Sequence, residues 1–201
     1  MLLAFDTSSA ACTAALFDGN GTCIGQRDEL IGRGHAEQLV PMIAELLDGR
    51  TASAILVGVG PGSFTGVRVG IAAAHGLAIG WNAPVRGMSS LALLAAGAPA
   101  DAPVTAAVIA GHGELFVQQF DAGEPDSEIR NLVPAEAARF ASARLVVGTG
   151  AQQLVNERGW GDAREAWPSA ADALKLAPAM RSLRAKPVYA RAPDARAREA
   201  A

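Results

Sequence analysis

Nine residues, Gly60-Pro61-Gly62-Ser63-Phe64-Thr65-Gly66-Val67-Arg68, leave an apolar run and open a helical pattern. Backbone N–H groups at a helix N-terminus attract anions, and glycines let a ligand approach the chain closely. Gly60, Gly62, Ser63 and Thr65 are therefore candidate phosphate contacts, although Ser63 is equally a ready N-cap. No lysine follows the last glycine, and the spacing is that of neither a Walker sequence nor a dinucleotide fingerprint. Tight-turn packing is the competing reading, and on spacing alone the better one. Asp6-Thr7-Ser8 offers a carboxylate and two hydroxyls to a metal-bound phosphate, while a turn closed by local hydroxyl hydrogen bonds is its ordinary role. Gly148-Thr149-Gly150 is a third glycine-rich turn, with Gly148 a candidate adenosine contact. His35, His75 and His112 are isolated from one another, so the sequence assembles no metal set and no Ser-His-Asp or Cys-His arrangement.

The elements around these residues follow from periodicity. Leu2 to Thr7, Ala11 to Asp18 and Thr22 to Glu29 read as three short strands, the last two joined by the hairpin signal Asp18-Gly19-Asn20-Gly21. A helix follows in which Ala36, Leu39, Val40, Ile43, Leu46 and Leu47 share a face, with Gly49 as its stop. Pro41 places its start near Gln38 or kinks it there. Ile55 to Val59 suits a buried strand, Phe64 to Trp81 a helix, Pro84 to Met88 a strand and Ser89 to Ala96 a helix. This order, three strands and then helix, strand, helix, strand, helix, is not a Rossmann alternation and resembles one lobe of the ribonuclease-H-like, actin-like superfamily. Gly97 to Pro103 reads as a linker. Beyond it Val104 to Ala110, Leu115 to Asp121 and Leu145 to Val147 are strand-like, and Pro134 to Ala141 and Gln152 to Arg158 helical.

Gly66, Gly70, Gly76 and Gly80 each cost the second helix about 1 kcal/mol relative to alanine. Something must offset that cost. Gly66 and Gly70, continued by Ala73 and Ala74, leave a flat stripe on which another backbone can sit, either the 35–47 helix or a second chain.

At 201 residues and 50% hydrophobic the chain can build a core. Its longest uncharged run, Val69 to Val85, is too broken by glycines, His75, Asn82 and Pro84 for the roughly 20 apolar residues of a membrane span. The apolar start meets Asp6 at once, which gives no secretory pattern, so the expected location is cytoplasmic with no membrane partner. Cys12 and Cys23 fall about four residues out of register across the hairpin, roughly 13 Å at ~3.3 Å per residue, beyond the ~7 Å a disulfide tolerates. Both are expected as buried reduced thiols. The net charge of −3 hides an asymmetry, for residues 1–180 hold 11 basic and 18 acidic residues and residues 181–201 hold 6 and 2. The body therefore repels phosphates, and independent RNA binding would need a local patch such as the tail Arg181, Arg184, Lys186, Arg191, Arg196 and Arg198, or Arg33, Arg50 or Arg86. That tail has one aromatic, Tyr189, and reads more readily as solvated than as a stacking surface.

Asp6-Thr7-Ser8, His35-Ala36-Glu37-Gln38-Leu39-Val40-Pro41, Gly60 to Arg68 and Pro187-Val188-Tyr189-Ala190-Arg191 occur in the order seen in the TsaB family. The chain resembles that family well over its first 95 residues and loosely thereafter. The resemblance implies an actin-like (ribonuclease-H-like, ASKHA) two-lobed α/β fold with mixed sheets, with an N-terminal lobe at 1–98 and a smaller, degenerate one with a basic tail at 99–201. It also implies a non-catalytic paralogue of the transferase TsaD, which, with the ATPase TsaE, makes N6-threonylcarbamoyladenosine in tRNA. The metal-binding histidines of TsaD align with Ser90 and Leu94, which cannot replace them. The second-lobe pattern Asp-Ala-Arg-x-Gly-Glu is here Ala110-Gly111-His112-Gly113-Glu114, which lacks its carboxylate and arginine.

The expected role is thus a scaffold that docks on a TsaD-like subunit through the helices at 35–48 and 64–80. Its interface would be His35, Leu39, Val40, Ile43, Leu47, Phe64, Val67, Arg68, Gly70, Ile71 and Ala74. Asp6, Thr7, Ser8, Gly60, Gly62, Ser63, Thr65 and Gly148 would be vestigial nucleotide or anion contacts. The chain would hold no metal and no cofactor of its own, with ATP or ADP bound only within the complex, a homodimer in the partners' absence, and tRNA contacted indirectly or weakly. The alternatives are an ATP-binding small-molecule kinase or a peptidase of the actin-like superfamily, and a direct tRNA-binding module.

Overall fold

The computed structural model describes residues 1–99 and 102–190. Strands β1 (Leu2–Asp6), β2 (Ala11–Phe17) and β3 (Cys23–Leu30) form an antiparallel meander, and β4 (Ala54–Gly58) and β5 (Val85–Met88) add to β1 in parallel, in the order β3-β2-β1-β4-β5. The second sheet repeats this plan. Its antiparallel pair is β6 (Val104–Gly111) and β7 (Glu114–Asp121), with the short β8 (Glu124–Pro125) and β9 (Arg130–Leu132) beside β7. On the other side β10 (Leu145–Val147) and β11 (Asp162–Arg164) run parallel to β6.

Helices α1 (His35–Leu47) and α2 (Phe64–Trp81) serve the first sheet, α4 (Pro134–Phe140) and α5 (Ala151–Arg158) the second. Between the sheets lies α3 (Ser90–Ala96). Its Leu91, Leu93 and Leu94 are buried in one cluster with Leu56 and Met88 of the first sheet and Val104, Phe116 and Phe120 of the second. A seven-residue helix that is apolar after Ser90 is stable there because both of its sides are covered.

Three expectations change. First, of the two readings that Pro41 left open, a start near Gln38 or a kink, the later start does not hold: α1 begins at His35, after Gly34 in the left-handed region, and runs through Pro41. Second, Cys12 is buried but Cys23 is exposed, since β3 is an edge strand with solvent along it; the two face different partners, Cys12 opposite Glu29 and Cys23 opposite Phe17. Third, residues 169–190, expected in the second lobe, return to the first sheet. Ser169 and Ala170 bond to Asp28 and Thr13, Leu183 exchanges backbone hydrogen bonds with Gly87, and Val188 N donates to Val59 O. The tail residues Arg191, Arg196 and Arg198 lie outside the described residues. No helix among the described residues is long and apolar enough to cross a membrane.

Candidate functional site

The carboxyl end of β1 delivers Asp6, fully buried, into a closed hydrogen-bond set. Asp6 Oδ1 accepts from the Ser8 N–H and the Ser8 hydroxyl, each at 2.7 Å. Asp6 Oδ2 accepts from the Ser90 hydroxyl at 2.5 Å, and Ser90 Oγ in turn accepts from the Gly60 N–H at 3.1 Å. Both oxygens of the carboxylate are thus engaged, and the turn reading of Asp6-Thr7-Ser8 is the one the geometry follows. Leu94, one helical turn on from Ser90, is buried in the core and offers no donor atom.

The Gly60–Arg68 stretch packs on this turn. Its Gly60–Pro61 peptide is cis. Ser63 caps α2, its hydroxyl accepting from the Gly66 N–H at 3.1 Å, while the Ser63 N–H donates to Ser8 O at 2.6 Å. A Cβ at Gly62 would stand 2.2 Å from Ser8 O, one at Gly66 2.0 Å from Thr7 O, and one at Gly70 2.5 Å from Thr7 Oγ1. These glycines exist to let α2 lie against the Thr7-Ser8 backbone, which is reinforced by the Thr7 hydroxyl donating to Gly66 O at 2.7 Å. The stripe Gly66–Gly70 therefore serves this chain's own fold.

That arrangement revises the expected interface. Leu39, Ile43, Leu47, Val67, Ile71 and Ala74 are all buried in the core between the helices and the first sheet, and Gly70 with them. Their side chains are used internally because these positions lie on the faces of α1 and α2 that pack on the first sheet, while Phe64 and Ile79 of α2 point outward. His35 is buried as well, its Nε2 3.3 Å from Ala11 O. Val40 and Phe64 are exposed. The outward surfaces are instead two stripes at helical i, i+4 spacing, Ala36-Val40-Ala44 on α1 and Ala72-Gly76-Gly80 on α2, all exposed. A Cβ at Gly76 or Gly80 meets nothing within 4 Å. Sequence spacing predicted close backbone packing at Gly66 and Gly70 and left its neighbour open between the 35–47 helix and a second chain; the neighbour is the Thr7-Ser8 turn, about sixty residues earlier in the chain.

A cleft of about 320 Å³ opens between the sheets, lined by Ser8, Ser63 and Ser90 from the first and Val108, Ile109 and Thr149 from the second. Gly148, buried with φ 118°, sits behind it, where a Cβ would come 2.3 Å from Ala107 O. Thr149 Oγ1 accepts from the Ile109 N–H at 3.2 Å. Among the described residues, no charged side chain lines this cleft. The sequence offered Asp6, Thr7, Ser8, Gly60, Gly62, Ser63, Thr65 and Gly148 as vestigial nucleotide or anion contacts. Ser8, Gly62 and Ser63 do line the cleft, whereas Thr65 faces a separate hollow between the starts of α1 and α2 with Arg33, Glu37 and Val69.

Two sheets with one strand order, each ending in glycine-rich turns on a shared cleft, define an actin-like fold. The comparisons narrow this. Residues 25–153 match the family model described as "TsaD: tRNA N6-adenosine threonylcarbamoyltransferase". The chain is 34% identical over 180 residues, 83% of its length, to "tRNA threonylcarbamoyladenosine biosynthesis protein TsaB" of Escherichia coli, of which the match covers 73%. A protein of the same description from Haemophilus influenzae is 45% identical over 100 residues, 47% of this chain and 41% of that protein. Among solved structures, one from Pseudomonas aeruginosa, described as similar to the peptidase YeaZ, superposes with TM-score 0.79 at 34% identity, covering 94% of this chain and 99% of that one. The chain belongs to the TsaB family.

Proposed function

We propose that this chain is a non-catalytic subunit that docks on a TsaD-like transferase and so supports N6-threonylcarbamoyladenosine formation in tRNA, with a TsaE-like ATPase as the further partner. The observation that carries this reading is the exposed, uncharged stripe Ala72-Gly76-Gly80 on α2, together with Ala36-Val40-Ala44 on the neighbouring α1. Gly76 and Gly80 expose helix backbone at a helix-propensity cost, which is offset once a partner helix packs closely against them. The same stripe can pair with its copy in a homodimer when the partner is absent.

Absence of its own chemistry is supported by what surrounds the cleft. Both oxygens of the Asp6 carboxylate are engaged by Ser8 and Ser90, and among the described residues the cleft lining holds no cation for a triphosphate and no nucleophile–base pair. Neither the kinase nor the peptidase alternative draws support from that lining. The reading places the protein in the cytoplasm, where its substrate tRNA would be. Co-expression with a TsaD-like subunit tests it: Gly76→Arg, at a position with open space around it, should fold normally and fail to co-purify. Co-purification at wild-type stoichiometry would overturn the docking surface, and unchanged threonylcarbamoyladenosine in tRNA after depletion would overturn the function.

A further inference from the structure

Arg68 and Tyr189, 121 residues apart, meet on the surface. The Arg68 guanidinium lies 3.2 Å from the centroid of the Phe64 ring, donates to Phe64 O at 2.8 Å and donates to the Tyr189 hydroxyl at 2.5 Å. It thereby fixes two rings, 6.4 Å apart and tilted by 40°, that remain exposed at 67% for Phe64 and 57% for Tyr189. Held exposed rings on an otherwise aromatic-poor chain call for a ligand with flat faces.

Charge around the rings is segregated. Residues 51–100 hold Arg68 and Arg86 and no acidic residue, and residues 176–190 hold Arg181, Arg184 and Lys186 and no acidic residue. These two stretches carry five of the 17 basic residues, leaving 12 basic against 20 acidic ones elsewhere. They are also neighbours in space. The 183–190 segment runs along the β5 edge, Leu183 paired with Gly87 next to Arg86, Ala185 O beside His75 of α2, and Val188 against Val59, before Tyr189 reaches Arg68. Arg86, Arg184 and Lys186 are exposed, and among the described residues none of them is in an ion pair.

The geometry points to a binding surface for single-stranded RNA, in which Phe64 and Tyr189 stack bases while Arg184, Lys186 and Arg86 hold phosphates. It rests on the reading that the chain works beside tRNA, and it adds a direct contact where the overall acidic charge suggests none. Aromatic faces accept any base, and cations beside them follow the backbone, which is the pairing that single-strand binders use. A protein partner would use the rings without needing the basic residues of these two stretches.

The test is fluorescence anisotropy with the full chain and a labelled oligoadenylate of ~12 nucleotides, from ~50 to ~200 mM salt. Binding should weaken with salt with a log–log slope near −2, from about three phosphate contacts at roughly 0.7 each. Phe64→Ala and Tyr189→Ala should each weaken it roughly tenfold at every salt concentration, and Arg184→Ala with Lys186→Ala should flatten the slope by about 1.4. No binding by a folded chain overturns the proposal. So does dextran sulfate displacing the RNA while the ring variants bind as wild type, which marks general polyanion affinity. Loss of the TsaD-like subunit by Phe64→Ala with RNA binding intact overturns it in favour of a protein contact. Gly76→Arg, which should lose the partner and keep the RNA, separates this surface from the docking stripe.

Discussion

Ser90 Oγ stands between Asp6 Oδ2 at 2.5 Å and the Gly60 N–H at 3.1 Å. One hydroxyl at the start of α3 therefore joins the end of β1 to the turn that precedes α2. Three elements distant in sequence meet at a group able both to donate and to accept.

Replacing that hydroxyl should be costly. Ser90→Ala leaves a fully buried carboxylate oxygen and a buried N–H each short of a partner, at about 1–3 kcal/mol for the loss. Urea unfolding should show a lower midpoint with an unchanged slope. A change under about 0.5 kcal/mol would mean that water replaces the hydroxyl without cost, contrary to the burial of this pair.

The four glycines of α2 should divide into two classes. Gly66→Ala and Gly70→Ala drive a Cβ to within 2.0 and 2.5 Å of Thr7 atoms and should destabilise the chain by about 2 kcal/mol or more. Gly76→Ala and Gly80→Ala add helix propensity in open space and should stabilise the isolated chain by about 0.5–1 kcal/mol each. The docking stripe predicts that Gly76→Ala nonetheless weakens pull-down of a TsaD-like subunit, because the added methyl holds the partner helix away. Equal thermal shifts for all four variants would refute the division.

Much of the frame was legible in the sequence, and the reasons are local. The Asp18–Gly21 turn, the runs of β1, β4 and α2, and the N-cap Ser63 announce themselves within a few residues. The short β8, β9 and β11 were not legible, since strands of two or three residues carry no period and exist only because β7 and β10 offer them edges. Nor was the return of residues 169–190, whose Leu183 and Val188 read as scattered apolar residues until Gly87 and Val59 supply backbone partners. Tyr189 seemed a lone aromatic for the same reason, its companion Phe64 lying in a distant motif.

The two thiols should react in sequence. Burial, with the charges of Glu29 and Asp6, pushes the Cys12 thiol up to about 11, whereas Cys23 is exposed. Alkylation of the native chain should modify Cys23 alone, and unfolding should release Cys12. Because the folded state holds the Cys12 proton more tightly than the unfolded state, stability is unaffected below about pH 9 and falls as pH rises from there towards 11. Cys12→Ala should remove that alkaline loss while introducing a pH-independent cavity cost. Rapid labelling of both thiols at pH 8 in the folded protein would contradict the buried position.

Asp28 clamps the returning segment to the edge of the first sheet. It accepts from the Thr13 hydroxyl, from Gln26 Nε2 at 3.0 Å and from Ser169 Oγ at 2.9 Å, while Thr13 Oγ1 itself accepts from the Ala170 N–H at 2.8 Å. Below this clamp the 3-10 turn Ala170–Lys175 places Ala170 and Ala173 in the core shared by both sheets. Asp28→Ala frees Ser169 and leaves Thr13, fully buried, to satisfy Ala170 alone, at about 1–3 kcal/mol. Ala170 and Ala173 contribute little apolar area beside Leu174 and Leu176, which pack on the same core, so the polar ties matter most at the start of the segment, where Ser169 and Ala170 make them. Amide hydrogen exchange in 170–175 should then rise by about tenfold or more, while β1 and β4 keep their protection. Asn at the same position, which retains an acceptor for Ser169, should restore most of the protection. Exchange unchanged in the alanine variant would show that the core contacts of Ala170 and Ala173 hold the segment without the carboxylate.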